Sequence, residues 1–254
     1  MKKERLRKAY VDFTSKVSIL TGKRASSLGK TDIEIALVDG GGSPEFTISS
    51  LKPIIIKGLS ERRLEKTRID LDVAIKFTQQ VGIKRGGEDE YSYEIIRSTI
   101  RVLYLENYET VNNIRRKDSN YLGEVYKGFH FDMNGQNQNT VDDYDHPMFH
   151  AHYDIRCISP EDLSRPFYKH IDKKEWIDSP RIPTAPLDLT GVIFYILRDH
   201  LPDSVIKGWP NDMSKIIKDL PRIPVGCLNN LIQQGVPFDS THWYKVDGAR
   251  PNVK

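Results

Sequence analysis

The chain has little cysteine, and the two residues it has are not placed for a bridge or a metal cluster. Cys157 and Cys227 lie far apart and outside any C-x-x-C spacing. This pattern excludes a disulfide framework and a cysteine zinc site. We therefore expect a reducing, cytoplasmic location.

Long hydrophobic runs are also absent. The longest apolar stretch, residues 192–197, is far shorter than the roughly 20 residues needed to span a bilayer. The basic N-terminus lacks the apolar segment of a signal peptide. Glycine and proline are not enriched, with 17 and 14 residues among 254, so a collagen-like or Pro/Gly-driven disordered chain is excluded. We expect no membrane association.

Charge is distributed unevenly along the chain. The net charge is +3, yet residues 1–30 carry nine basic and two acidic side chains. The rest of the chain is therefore mildly acidic. A basic segment of this kind can contact nucleic acid or an acidic partner surface.

The N-terminal segment has the apolar spacing of a helix that ends near Gly22. Five apolar residues recur every three or four positions: Leu6, Tyr10, Phe13, Val17 and Leu20. Five basic residues near its start are candidate contacts for nucleic acid or a protein partner: Lys2, Lys3, Arg5, Arg7 and Lys8. The coiled-coil-like stripe can serve either a partner protein or the core of this chain. In the second case the lysines form a solvated face.

Alternating apolar and polar residues predict strands in the middle of the chain. A short strand is predicted at residues 33–37, and Ser43-Pro44-Glu45 then has the chemistry of a helix start. We expect a short helix there, ended by Pro53. Four long strands follow, at residues 67–77, 93–105, 121–133 and 148–157. Successive strands without helical connections favour an antiparallel meander.

The last third of the chain has a helical character. Apolar residues from Leu189 to Leu197 follow helical spacing, with Asp188 as the N-cap and Pro202 as the stop. Shorter helices are expected at 212–219 and 225–234. We therefore predict an α+β fold in a single domain, with a basic amphipathic helix and a meander of about four long strands covered by C-terminal helices. Its parts are the basic helix (1–22), a mainly β segment (31–160) and a mainly α segment (161–254).

Histidines and aspartates are concentrated on the third and fourth predicted strands. His150, His152, Asp154 and Arg156 share one face of the fourth strand, since side chains on a strand alternate. Matching the apolar faces pairs odd residues with odd residues, which places His130 and Asp132 on that same face. The sequence therefore predicts one polar face shared by two strands.

This face has the donor atoms of a metal site. Cα atoms of His150 and His152 are about 6.6 Å apart along a strand, so both imidazoles can bind one ion. His130 is the first choice for a third ligand, with Asp132 or Asp154 as alternatives. Zinc, manganese and iron all suit nitrogen and oxygen ligands. Such a metal activates water or polarises a phosphoryl oxygen, and Arg156 would stabilise the developing negative charge.

Known motifs do not assign this face to a family. The order His150-Ala-His152-Tyr-Asp154 is similar to the H-x-H-x-D core of metallo-β-lactamase-like hydrolases, but Ile155 stands where their next histidine lies. The H-x-H pair is also similar to that of cupins, without the glutamate and glycine spacing that follows there. We therefore assign the chain to neither family.

Two functions of different classes remain open. The first is a cytoplasmic metal-assisted phosphoester hydrolase that acts on nucleic acid or nucleotides through the His/Asp face. A metal-free version uses His150 and His152 as base and acid, with Arg156 holding a phosphate. The second is a non-catalytic subunit that binds nucleic acid or protein through the basic helix, in which case the His/Asp face is a solvated sheet surface.

Overall fold

The structure is a computed structural model, and it describes residues 2–38, 45–62, 68–85, 91–107, 123–133, 149–153, 158, 182–183, 188–201, 220–221 and 223. In this part of the chain two α-helices flank a run of strands. The elements are α1 (Lys2–Leu20), β1 (Ile33–Val38), β2 (Glu45–Ser50), β3 (Ile54–Arg62), β4 (Arg68–Arg85), β5 (Tyr91–Asn107), β6 (Gly123–Met133), β7 (Phe149–Tyr153), β8 (Ile182–Pro183) and α2 (Leu189–His200). A 3₁₀ turn at Lys30–Asp32 precedes β1.

All strand pairs among the described residues are antiparallel. The strand order is β1-β2-β4-β5-β6-β7-β8, and β3 also pairs with β4. β2 pairs with residues 78–82 of β4 and β3 with residues 68–75, so the two lie end to end along one edge of β4. The α+β class predicted from sequence is confirmed at this level: a mostly antiparallel sheet with two helices in the described part of the chain.

The sheet has more strands than the predicted short strand at 33–37 and meander of about four long strands. Within the described residues the sheet has eight strands, and the short helix expected after Ser43 is wrong because residues 45–50 form β2. Phe46 and Ile48 point into the core on alternate positions of that strand. Pro53 lies in the break between β2 and β3 and does not end a helix. The helices expected at 212–219 and 225–234 lie outside the described residues.

Helix α1 belongs to the core of the molecule. Its stripe faces β4, where Tyr10 stacks on Phe77 with ring centroids 5.1 Å apart. Leu6 and Phe13 are both 0% exposed. The stripe therefore serves the core of this chain, which is the second of the two alternatives that the sequence left open.

Helix α2 packs on the same face of the sheet as α1. Asp188 caps it as predicted, since its carboxylate accepts a hydrogen bond of 2.8 Å from the Gly191 N–H. His200 lies in its last turn, with its ring 5.5 Å from that of Tyr104 on β5. We call the face covered by α1 and α2 the inner face and the opposite one the outer face.

A β-bulge in β5 changes which of its residues face outward. Gln80 pairs with Arg97, but the next residue, Val81, pairs with Ile95. Ile96 is the extra residue, so side-chain parity reverses there. Beyond the bulge, even-numbered residues such as Ile100 join the inner core, while odd-numbered residues face outward.

The outer face carries a small apolar cluster of its own. Ala74, Leu103, Leu105 and Ile158 are all buried there, with at most 1% exposure. Ile158, which follows β7 in sequence, therefore packs against the outer face. Part of the outer face is therefore apolar and buried from solvent.

Candidate metal centre

The candidate site lies on the outer face where β6 meets β7. His130 pairs directly with His152, and Asp132 pairs with His150. This register has the parity predicted from sequence, because Phe131 on the other side of β6 packs against the inner core. Directly opposed residues of an antiparallel pair are close enough for their side chains to touch.

Three side chains converge at this point. The Nε2 atom of His130 lies 3.2 Å from Oδ2 of Asp132. The rings of His130 and His152 have centroids 4.3 Å apart at an angle of 42°. One ligand atom from each of the three residues lies within 4.8 Å of the others. The group can hold a metal ion.

The site is accessible without being fully solvated. The side chains of His130 and Asp132 are 23% and 21% exposed. An ion bound there would be in reach of water. Partial burial also strengthens electrostatic interactions relative to those in bulk water.

Thr99 fixes the orientation of the aspartate. Its hydroxyl donates a hydrogen bond of 2.6 Å to Oδ1 of Asp132 from the neighbouring strand β5. The other carboxylate oxygen is the one that faces His130. Partners of this kind orient metal ligands. Thr99 could not be predicted as part of the site, because the register between β5 and β6 cannot be read from either strand alone.

Two basic residues continue the row of His130 and His152 across the sheet. Arg101 on β5 pairs with His130, and Lys76 on β4 pairs with Arg101. We call these four residues the basic row. Arg101 was also missed, since the alternation at the start of β5 puts odd-numbered residues inward and only the bulge turns Arg101 outward.

The apolar cluster borders the basic row on one side. Ala74 pairs with Leu103, two residues along from Lys76 and Arg101 respectively. On the other side lies a row of hydroxyls from Thr78 and Thr99, which ends at Asp132. The basic row therefore lies between an apolar strip and a strip that contains the two hydroxyls and the Asp132 ligand.

The remaining predicted site residues have different outcomes. The backbone of His150 lies beside Asp132, but its side chain is outside the described residues, as are Asp154 and Arg156 entirely. Asp72 on β4 is buried and accepts a hydrogen bond of 3.0 Å from the Gly58 N–H. The roles of His150, Asp154 and Arg156 in catalysis and metal binding stay predictions.

The basic residues of α1 lie apart from this site. Lys3, Arg5 and Lys8 are exposed. Arg7 is half-buried, donates to the carbonyl of Ile33 at 3.4 Å and pairs with the carboxylate of Glu4. The side chain of Lys2 is outside the described residues.

Comparison with known proteins leaves the family open. A stretch of 87 residues is 30% identical to the hybrid signal transduction histidine kinase A of Dictyostelium discoideum. It covers 31% of this chain, and the chain spans about 4% of the length of that kinase. No family model matches the chain, and no solved structure matches it. Within the described residues, no helix is both long and apolar enough to cross a membrane.

Proposed function

We propose that the outer face binds a divalent transition metal through His130, Asp132 and His152, and that the bound metal promotes hydrolysis of phosphoesters in nucleic acid or nucleotides. The observation that carries the proposal is the convergence of their ligand atoms to within 4.8 Å. Two imidazoles and a carboxylate are a donor set that suits zinc, manganese or iron.

Three protein ligands leave coordination positions open for water and substrate. A metal in such a site lowers the pKa of bound water and polarises a phosphoryl oxygen. Arg101 pairs with His130, so a cation stands beside the place where negative charge develops. Positive charge held there lowers the barrier to attack on a phosphate.

The first experiment measures metal content and hydrolysis together. The full chain is stripped with a chelator, dialysed against zinc, manganese or iron(II), and assayed for bound metal and for cleavage of bis-p-nitrophenyl phosphate. We expect about one ion per chain and metal-dependent cleavage. His130→Gln/His152→Gln and Asp132→Asn should lose both.

A matched control keeps this test sharp. Asp199 is an exposed aspartate on α2, so Asp199→Asn should retain metal and cleavage. The proposal is wrong if folded wild type binds none of the three metals, or if Asp132→Asn binds as much as Asp199→Asn. If the protein binds metal but shows no cleavage, the proposed metal site is supported and the proposed hydrolase activity is wrong.

The non-catalytic alternative is supported by a different surface. Lys3, Arg5 and Lys8 are exposed on α1. They supply positive charge for contacts with phosphates or an acidic protein surface. In this second proposal these three basic side chains bind the partner, and the buried stripe does not.

A further inference from the structure

We infer that the basic row is a track for the sugar-phosphate chain of a single-stranded nucleic acid, with Arg101 and Lys76 holding phosphates next to the one at the metal. This inference rests on the proposed function, because it takes the metal ligands as one end of the track. It assigns a substrate class and two binding residues to that site.

The row runs straight across neighbouring strands. Lys76, Arg101 and His130 are successive register partners on β4, β5 and β6. Neighbouring strands are about 4.8 Å apart, so Lys76 lies about 10 Å from His130 in the plane of the sheet. The long side chains of lysine and arginine extend the reach of each charge beyond its own strand.

The length of the row favours a chain of phosphates over one phosphate. A single phosphate at the metal can be reached by Arg101 from the adjacent strand, whereas Lys76 lies one strand further away. A nucleic acid strand carries one negative charge per nucleotide. A cation on each successive strand therefore matches a polynucleotide better than a mononucleotide.

The width of the row favours one strand over a duplex. The row beside it contains Thr78, Thr99 and the carboxylate of Asp132, and the row on the other side is apolar at Ala74 and Leu103. Neither neighbouring row supplies a cation at these described positions. A duplex presents two lines of phosphates, and only one of them would meet positive charge. Hydroxyl groups beside the track are suited to contacts with sugar and phosphate.

The test measures binding without metal, so that it is independent of catalysis. The chelator-treated full chain is titrated with fluorescent oligothymidylates of two, four and eight nucleotides at several salt concentrations. We expect affinity to rise from two to four nucleotides. Arg101→Gln and Lys76→Gln should each reduce the slope of log affinity against log salt by about 0.7, the value for one phosphate contact in single strands.

Arg198→Gln is the matched control, because Arg198 is exposed on α2, away from the outer face. It should leave the slope unchanged, and circular dichroism checks that each variant is folded. An oligouridylate arm compares RNA with DNA, and a duplex of eight base pairs tests the single-strand assignment. Duplex binding as tight as single-strand binding would contradict that assignment.

The outcomes separate this inference from the proposed function. Wild type that binds no oligonucleotide at low salt, or slopes unchanged in both Arg101→Gln and Lys76→Gln, would overturn the track even if metal binds. Slopes that fall as expected in a protein that binds no metal would support the track and overturn the metal-assisted hydrolase.

Discussion

At the scale of single residues, Asp188 caps helix α2 but has a carboxylate that is partly desolvated. Its carboxylate accepts a hydrogen bond from the Gly191 N–H, which stabilises the start of α2. Desolvation raises the pKa of Asp188 above its ordinary value, although backbone N–H groups of Gly191 and Thr190 lower it in part. The residue is half-buried.

A pH-dependent contribution to stability follows from this raised pKa. The folded protein holds the Asp188 proton more tightly than the unfolded chain, so this group's contribution to stability falls as the pH rises from about 4 through the folded pKa. Asp188→Asn keeps a capping oxygen and has no charge to desolvate. We expect the free energy of unfolding of the variant to increase relative to that of the wild type as the pH rises through that window. Urea denaturation at several pH values measures this difference.

Two comparison variants separate the charge of Asp188 from its capping bond. Asp188→Ala removes both, so it should lose about 1 kcal/mol of capping while showing the same relative gain with pH. The exposed Asp199 on α2 should show neither effect as Asp199→Asn. A difference between Asp188→Asn and wild type that does not change with pH would contradict the assignment.

Sequence reasoning reached part of the candidate site at this scale. Alternation alone places His130, Asp132 and His152 on one face, and the register of β6 with β7 agrees. Arg101 and Thr99 could not be found in this way. Their outward orientation depends on the bulge at Ile96. The sequence of β5 contains no residue type that predicts this bulge.

At the scale of secondary structure, α1 is the helix that completes the inner core. Phe13 is 0% exposed within the core cluster that spans α1, the sheet and α2. Removing a buried phenylalanine side chain typically costs 3–5 kcal/mol, because it loses apolar burial and leaves a cavity.

We therefore expect Phe13→Ala to lower the free energy of unfolding by about 3–5 kcal/mol, measured by urea denaturation. Lys3→Gln/Lys8→Gln is the control on the exposed side of the same helix, and it should change stability by less than about 0.5 kcal/mol. Loss of nucleic-acid or partner binding in that double variant would support the non-catalytic proposal. Equal stability losses in the two variants would contradict the assignment of α1 to the core.

The short strand at 33–37 and the four long strands were predicted from sequence, whereas β2 and β3 were not. The predicted strand at 67–77 continues to Arg85 as β4, past Gln79, a polar residue that points inward. Gln79 is 1% exposed and satisfied there, because it accepts a hydrogen bond from the Tyr10 hydroxyl and donates one of 3.1 Å to Ser98. Only the packing of α1 on the sheet supplies the first of these partners.

In β2 the local sequence signal predicts the wrong secondary structure. Ser43-Pro44-Glu45 is good capping chemistry for a helix, yet residues 45–50 pair with β1 on one side and β4 on the other. Pairing on both sides satisfies the strand's backbone groups, and Phe46 and Ile48 are buried. Tertiary pairing outweighs the local helix signal.

At the scale of the whole molecule, the two faces of the sheet differ in the side chains that they present. The inner face holds α1, α2 and the main core cluster. The outer face holds the candidate metal ligands and the basic row. The two faces alternate along every strand, so neighbouring residues in sequence serve different purposes. Substitutions at outer polar positions should therefore affect binding more than folding.

Metal binding should still be detectable as a gain in stability of the whole protein. His130 and Asp132 come from β6 and His152 from β7, so an ion held by all three joins two strands in the folded state only. A ligand that binds the folded state alone stabilises it by about 2.7 kcal/mol at 100 times its Kd. For a protein of this size, that corresponds to a rise in Tm of about 5–10 °C.

We expect the Tm of the chelator-treated wild type to rise by about 5–10 °C with a saturating metal, measured by differential scanning calorimetry. Asp132→Asn should show no rise, because it removes the charged ligand while keeping an oxygen beside Thr99. Asp199→Asn should rise as wild type does, since Asp199 lies on α2. An equal rise in both variants would mean that the metal stabilises the protein somewhere other than the β6–β7 pair, because only one of the two substitutions touches that pair.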